Sequence, residues 1–180
     1  MIRFIVTSPF YKRALTLIES LMVIAIIGIL IAISIPRFSV FNDIKINGAA
    51  KKLSADIRYI QAVAMSRHVN TAIRFNKTTE VYRAYYCESN CNLLSNWFLL
   101  KDPFTREDLE MYFESDSHFA GIDISDIDFG GTDVLRFDWQ GIPADRNGNI
   151  LTNPGYVTLD FRGLSKSIFV TPQTGRVFVQ

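Results

Sequence analysis

The chain has 180 residues, of which 19 are Lys or Arg and 18 Asp or Glu, for a formal net charge of +1. So small a charge excludes bulk attraction to nucleic acid. Once about 35 residues are set aside for the apolar N-terminal part, about 145 remain, enough for one hydrophobic core of ordinary size.

Residues 1–14 hold Arg3, Lys12 and Arg13 and no acid, so the chain without them carries a net charge of −2. From Leu15 to Ile35 runs LTLIESLMVIAIIGILIAISI, apolar almost throughout, with Glu19 as its single ionisable residue. A helix of that length rises roughly 30 Å, the thickness of a bilayer's hydrocarbon core. Lys12 and Arg13 directly before it predict a cytoplasmic N-terminus and an extracytoplasmic remainder. Glu19 is unusual in a plain anchor: a carboxylate at mid-bilayer costs ~3 kcal/mol or more, although one near the cytoplasmic end reaches the headgroups. An ordinary secretory signal is cut after an apolar stretch of ~7–15 residues. Here the small residue that suits a cut, Ala14, precedes the apolar run.

That order, KRA followed by LTLIES, resembles the class III signal of type IV prepilins and pseudopilins. The resemblance implies that prepilin peptidase cuts between Ala14 and Leu15 and that the freed Leu15 amine is methylated. It also implies that Glu19 pairs with a neighbouring subunit's terminal amine as helices bundle into a filament. The physics agrees, because a buried carboxylate is costly alone and acceptable when paired. Gly28 and Pro36 match the helix glycine and post-membrane proline common in the family, whereas Ala14 stands where Gly is usual and Leu15 where Phe or Met is usual. The implied partners are other pilins or pseudopilins, the prepilin peptidase, the inner-membrane assembly platform, and membrane lipid before assembly. The implied location is the inner membrane, single-pass, with the head in the periplasm.

Pro36 is expected to bend or loosen the helix. Beyond it Ile46, Ala49, Ala50, Leu53, Ile57, Ile60 and Ala64 recur at steps of three and four, with Lys51, Lys52, Asp56 and Arg58 between them. This is one apolar stripe on an amphipathic helix. After His68 the period changes to that of strands, predicted at 71–75, 81–86, 97–100, 134–139, 156–161, 167–171 and 176–179. Turn chemistry separates them at Asn76-Lys77, Gly130-Gly131, Asn147-Gly148, Pro154-Gly155 and Thr171 to Gly175. Residues 101–127 read as less regular, with a short helix over Thr105–Tyr112 because Thr105 followed by Asp108 suits a capped start. Basic residues dominate from Arg37 to Arg83 and acids from Glu107 to Asp128. Attraction between the two across stacked subunits is one reading, and solvated surface the plainer one.

Towards the end, Phe137-Asp138, Gly141, Gly155 and SIFVTPQTGRV (Ser167 to Val177) resemble the H-type pseudopilins and the related FimT/FimU minor pilins. In them a late strand, a proline turn and a Thr-Gly-Arg, here Thr174, Gly175 and Arg176, lead into the last strand. The fold class expected is α+β and pilin-like: a long N-terminal α-helix, half transmembrane and half amphipathic, packed on an antiparallel β-sheet head. Its parts would be a leader peptide (1–14), a transmembrane and assembly helix (15–36), an amphipathic helix (37–70) and a β-rich periplasmic head (71–180).

Cys87 and Cys91 fall in the segment placed outside the cytoplasm, where disulfides persist. A bridge would close a short loop for about 2 kcal/mol or less, enough to pin a loop tip. A metal site needs more ligands, and the two histidines, His68 and His118, are far apart in sequence. Asp145-Arg146-Asn147-Gly148-Asn149 has the alternate oxygens of calcium loops without the later bidentate Glu, so an Asx/Gly turn is the simpler reading. With no nucleophile motif, phosphate-cradling loop or carboxylate pair, no catalytic residue, metal or cofactor is assigned. Some FimT-like minor pilins are implicated in DNA uptake, and that role would fall here on Arg162, Lys166 and Arg176. The leading expectation is a structural minor pseudopilin of a type II secretion system. A minor pilin of a type IV pilus is the near alternative, and a membrane-tethered periplasmic binding protein the alternative of another class.

Overall fold

The computed structural model describes residues 16–34 and 37–180. The chain divides after Ser39 into two units. Ala14, Leu15 and Pro36, to which the sequence assigns a cut, a methylated terminus and a bend, lie outside the described residues.

The first unit is described through one helix, α1 (Leu17–Ser34). Thr16 starts it: its hydroxyl accepts from the Glu19 N–H at 3.4 Å, and its carbonyl accepts from the Ser20 N–H at 3.1 Å. A hydroxyl at the N-cap satisfies one of the free amides of the first turn. Side chains from Leu17 to Ile31 are exposed on every side, Leu17 at 82% and Ile24 at 70%. Among the described residues no helix is long and apolar enough to cross a membrane. The 18 residues of α1 rise about 27 Å, short of a hydrocarbon core of roughly 30 Å.

The second unit is organised by α2 (Arg37–Arg67). All seven stripe residues from Ile46 to Ala64 are at most 1% exposed, and Val63 joins them. Two antiparallel sheets cover this face. Sheet I runs β3 (Phe98–Leu99), β2 (Val81–Cys87), β1 (Asn70–Asn76), β6 (Val134–Phe137), β7 (Pro143–Ala144), with β4 (Glu110–Tyr112) also paired to β2. Sheet II runs β10 (Val177–Val179), β9 (Leu164–Val170), β8 (Gly155–Phe161), β5 (Asp123–Asp128). One core cluster joins the stripe to Ile73, Phe75, Tyr82 and Phe137 of sheet I and to Val157, Leu159, Ile168 and Val170 of sheet II. Each such side chain taken from water contributes about 1.5–3 kcal/mol. Polar ties hold the helix in place: Thr71 donates to the Ile60 carbonyl at 3.0 Å, and Arg58 to that of Val177 at 2.8 Å.

The seven strands expected from the period of two are present, and three more appear. Thr105–Tyr112 is not a helix. Asp102 Oδ1 accepts from the Phe104 and Thr105 amides at 2.7 and 3.1 Å, and Arg106 sits at φ 61°, which no helix tolerates. Leu109, Met111 and Phe113 then alternate onto the core as β4 passes along β2. Residues 123–128 form β5. Ile122 and Ile124 face inward before a bulge at Ser125, and Ile127 and Phe129 after it, so the extra residue breaks the alternation. The outer edge of β5 is met by Glu80, from the β1–β2 turn, whose carboxylate accepts the Ile124 N–H. Burial raises the Glu80 carboxyl above its ordinary value.

Asp56, expected between the stripe residues on the polar side, is buried at 6% exposure. Tyr82 donates its hydroxyl to Oδ2 at 2.7 Å, Lys52 bonds Oδ1 at 2.7 Å, and Asp102 stands 3.7 Å from the same ammonium. Burial pushes the Asp56 carboxyl up, against the opposing pull of Lys52 and Tyr82. Protons therefore bind the folded state more tightly, and this residue's contribution to stability falls as pH rises from its unfolded value of about 3.9 through its raised folded value. Tyr82→Phe, which removes one donor to the ionised carboxylate, is expected to cost about 1–3 kcal/mol at neutral pH. The cost should shrink in acid, once Asp56 is protonated; urea denaturation of both proteins at the two pH values measures it.

Candidate functional site

Three groups of residues singled out in the sequence fall in three different places. On α1, Glu19 lies in the first turn with its side chain exposed. The partial positive charge of a helix start favours a carboxylate there by about 0.3–1 kcal/mol. Thr16 and Glu19 also have the spacing of a capping box, a local role that the sequence reading passed over. A Cβ added at Gly28 would meet nothing within 4 Å, so packing within the described chain does not demand glycine there. A bare backbone of this kind lets another helix approach closely.

The C-terminal motif acts as a clamp. Gly175 adopts φ 62°, and a Cβ there would lie 2.9 Å from the Gly141 carbonyl oxygen and 3.0 Å from the Phe137 ring, besides striking Gln61. Gln61, on α2, donates from Nε2 to the carbonyls of Gly141 at 2.9 Å and Thr174 at 3.0 Å. The Thr171 and Thr174 hydroxyls bond each other at 2.7 Å, and the Gly175 N–H donates to the Thr171 carbonyl at 3.0 Å. Asp138 braces the facing turn by accepting the Gln140 and Ile142 amides at 2.9 and 2.8 Å. Thr174 and Gly175 thus seat the last turn on α2 and start β10, while Arg176 stays exposed. Gln61 is the member that sequence reading missed. A polar residue at the rim of an apolar stripe looks like solvent-facing surface until its partners, 80 and 113 residues away, are known.

Cys87 and Cys91 are bonded, with Cα atoms 5.8 Å apart. The loop they close lies over the outer face of sheet I. The Cys91 carbonyl accepts from Trp97 Nε1 at 3.0 Å and from Arg136 Nη2 at 2.8 Å. Asp145 centres an Asx turn: Oδ1 accepts the Asn147 and Asn149 amides at 2.8 and 2.9 Å, and Oδ2 accepts from Asn149 Nδ2 at 2.9 Å. Its oxygens are thus engaged by N–H donors, which hold its carboxyl below the usual range against the opposing effect of burial. Among the described residues no group of three or more His, Cys, Asp or Glu is placed to hold a metal ion.

The cations considered for DNA do not converge. Arg162 turns the corner between β8 and β9, while Arg176 follows the far end of β9, seven residues long and so about 20 Å away. Several residues of the basic and acidic stretches pair with each other within the head, among them Lys77 with Asp126 at 3.9 Å and Arg83 with Glu110 at 2.9 Å.

No family model matches the chain, and no curated relative does. Solved structures share its fold. The minor pseudopilin EpsH from the type 2 secretion system of Vibrio cholerae superposes with a TM-score of 0.55 at 10% identity, over 76% of this chain and 96% of that one. A second crystal structure of EpsH gives 0.54 at 11% identity, over 77% and 94%. The type IV minor pilin FimU of Pseudomonas aeruginosa gives 0.45 at 14% identity, over 75% and 87%. The fold is α+β and pilin-like.

Gly175→Ala adds one methyl where φ is positive and three groups already meet, so it should lower stability by more than 2 kcal/mol, on the order of a core defect. Gln61→Ala, which frees two carbonyls at a partly solvated rim, should cost about 1–2 kcal/mol. Thermal melts of the two variants against the parent give the ranking, and an equal or reversed order would contradict the clamp.

Proposed function

We propose that the chain is a structural minor pseudopilin of a type II secretion system, cut by prepilin peptidase between Ala14 and Leu15 and assembled through its N-terminal helix. The observation that carries this reading is α1, apolar on all sides and exposed throughout its described side chains, with one acid in its first turn. A helix apolar all round is stable in lipid or among other apolar helices. The EpsH likeness, at the level of fold, supports a pilin-like structural subunit, and a minor pilin of a type IV pilus is the near alternative.

In this reading residues 1–14 are the leader, 15–36 the membrane and assembly helix, 37–70 the amphipathic helix and 71–180 the periplasmic head. The helix first crosses the inner membrane with its N-terminus in the cytoplasm. Cleavage frees the Leu15 amine for methylation, and the helix then leaves lipid for a bundle of like helices. Lipid and bundle are equally apolar for the Ile and Leu side chains, so burial alone gives little preference between them. Glu19 supplies the difference. In lipid its carboxylate reaches the headgroups, whereas inside a bundle it is costly until a neighbour's terminal ammonium lies beside it, and that pairing sets register along the filament. Gly28 allows close helix approach, and the head determines which subunit stacks next.

Glu19→Ala should leave membrane insertion intact and reduce incorporation into filaments at least about tenfold, a loss of about 1.4 kcal/mol or more per subunit. Membrane fractionation and quantification in sheared filaments read the two effects separately. Mass spectrometry of the assembled protein should find methylated Leu15 at its terminus. An intact Met1 in functioning protein would overturn the proposal and favour a plain membrane tether.

A further inference from the structure

The outer face of sheet I, turned away from α2, carries a groove of about 550 Å³, within the range of roughly 300–1,000 Å³ usual for ligand sites. Ala72, flanked across the sheet by Tyr85 and Arg136, forms its floor, and the small side chain gives the depth. Trp97 and the disulfide loop make one wall, Arg146 the other. The lining includes Arg74, Arg136 and Arg146 and no acid. One carboxylate, Asp133, touches two of these cations, Arg146 directly and Arg74 at 4.0 Å. Arg136 has no carboxylate hydrogen-bonded to it, although Asp145 lies near enough to act on its charge. Its two terminal nitrogens donate to the carbonyls of Arg146 and Cys91, both at 2.8 Å, and its guanidinium lies 4.6 Å over the Trp97 ring. The groove is thus a preorganised, positively charged trough with an aromatic wall.

We infer that this groove binds an extended segment of a different protein that carries two acidic side chains separated by one residue. The spacing supports this. Arg74 pairs across the sheet with Val134, and Arg136 lies two residues further along β6, a diagonal relation that sets their backbone positions about 7–8 Å apart on the same face. An extended chain repeats side chains on one side about every 6.6–6.8 Å, so an acid-x-acid segment presents one carboxylate to each guanidinium. Ala72, Tyr85 and Trp97 give apolar surface for such a segment's aliphatic carbons, which a free phosphate would not use. Nucleic acid fits less well, because three cations offset by Asp133 neutralise few phosphates and the rest of the head is rich in acids. A second copy of the chain also fits less well. Its three acid-x-acid segments are engaged within the head: Asp108 and Glu110 pair with Lys101 and Arg83 at 2.7 and 2.9 Å, Asp116 accepts the His118 and Phe119 amides at 2.7 and 2.8 Å, and Asp126 and Asp128 accept from the Tyr156 hydroxyl at 2.8 Å and the Gly131 amide at 2.7 Å.

The test uses the full chain in detergent micelles and a fluorescein-labelled octapeptide alternating glutamate and valine, read by fluorescence anisotropy at low and moderate salt. The same peptide with lysine for glutamate, inorganic phosphate and a short DNA duplex serve as comparisons. The expected result is binding of the acidic peptide alone, weakened at least tenfold by Arg74→Glu and unchanged by Arg162→Glu, whose site lies on the other sheet. Arg74 is well exposed, so its replacement leaves the core intact, and an unchanged melting temperature checks this. Absence of binding, equal effects of the two substitutions, or tighter binding of phosphate or the duplex would overturn the inference. Self-association that the peptide disrupts would overturn it too, in favour of a second copy as the occupant.

Discussion

The head depends on one constraint: the apolar face of α2 must be covered, and both sheets contribute to the one core that covers it. Sheet I supplies Ile73, Phe75 and Phe137 and sheet II supplies Val157, Leu159 and Ile168 to one cluster with Leu53, Ile57 and Ile60 of the helix. A shared floor of this kind couples the sheets. β10, only three residues long, is held because Arg58 of α2 caps its Val177 carbonyl and Gln61 grips the turn before it. The Thr-Gly-Arg motif therefore has a structural explanation that requires no ligand: glycine is the residue that lets this turn come down onto the helix.

The same constraint accounts for what was legible in the sequence. The stripe from Ile46 to Ala64 has a helical period because one helix face is buried, and strands such as β8, buried at every second residue, have a period of two. Where burial and period part company, reading failed. Asp56 looked like surface because its burial rests on Tyr82 and Lys52, partners that a linear pattern does not reveal. β5 was hidden by a bulge, and also by acids on its solvent side that resembled a charged loop. β4 was misread because Thr105 and Asp108 imitate a helix start, whereas Leu109, Met111 and Phe113 carried the better signal two residues apart. The groove on sheet I was beyond reach. Its arginines come from β1, β6 and the turn at Asp145, and their convergence is a matter of strand pairing.

The two units treat apolar surface differently. The head buries one apolar core, leaving residues such as Leu94 and Phe104 exposed, and pairs many of its surface charges with each other. α1 does neither: its exposed side chains have a use only where other apolar surface is available. The disulfide loop stands between these extremes. The Cys91 carbonyl serves both Trp97 and Arg136, so the bridge that closes a short loop also shapes a wall on the outside of the sheet.

Glu80 has a consequence for crowding. A row of like heads brings sheet margins within reach of one another, and an unsatisfied amide on a margin invites a stranger's backbone to join. By reaching from the β1–β2 turn to the Ile124 N–H, this side chain fills that vacancy from within. Where heads of this kind lie side by side, β5 then offers one fewer free edge group for a neighbour's strand to join.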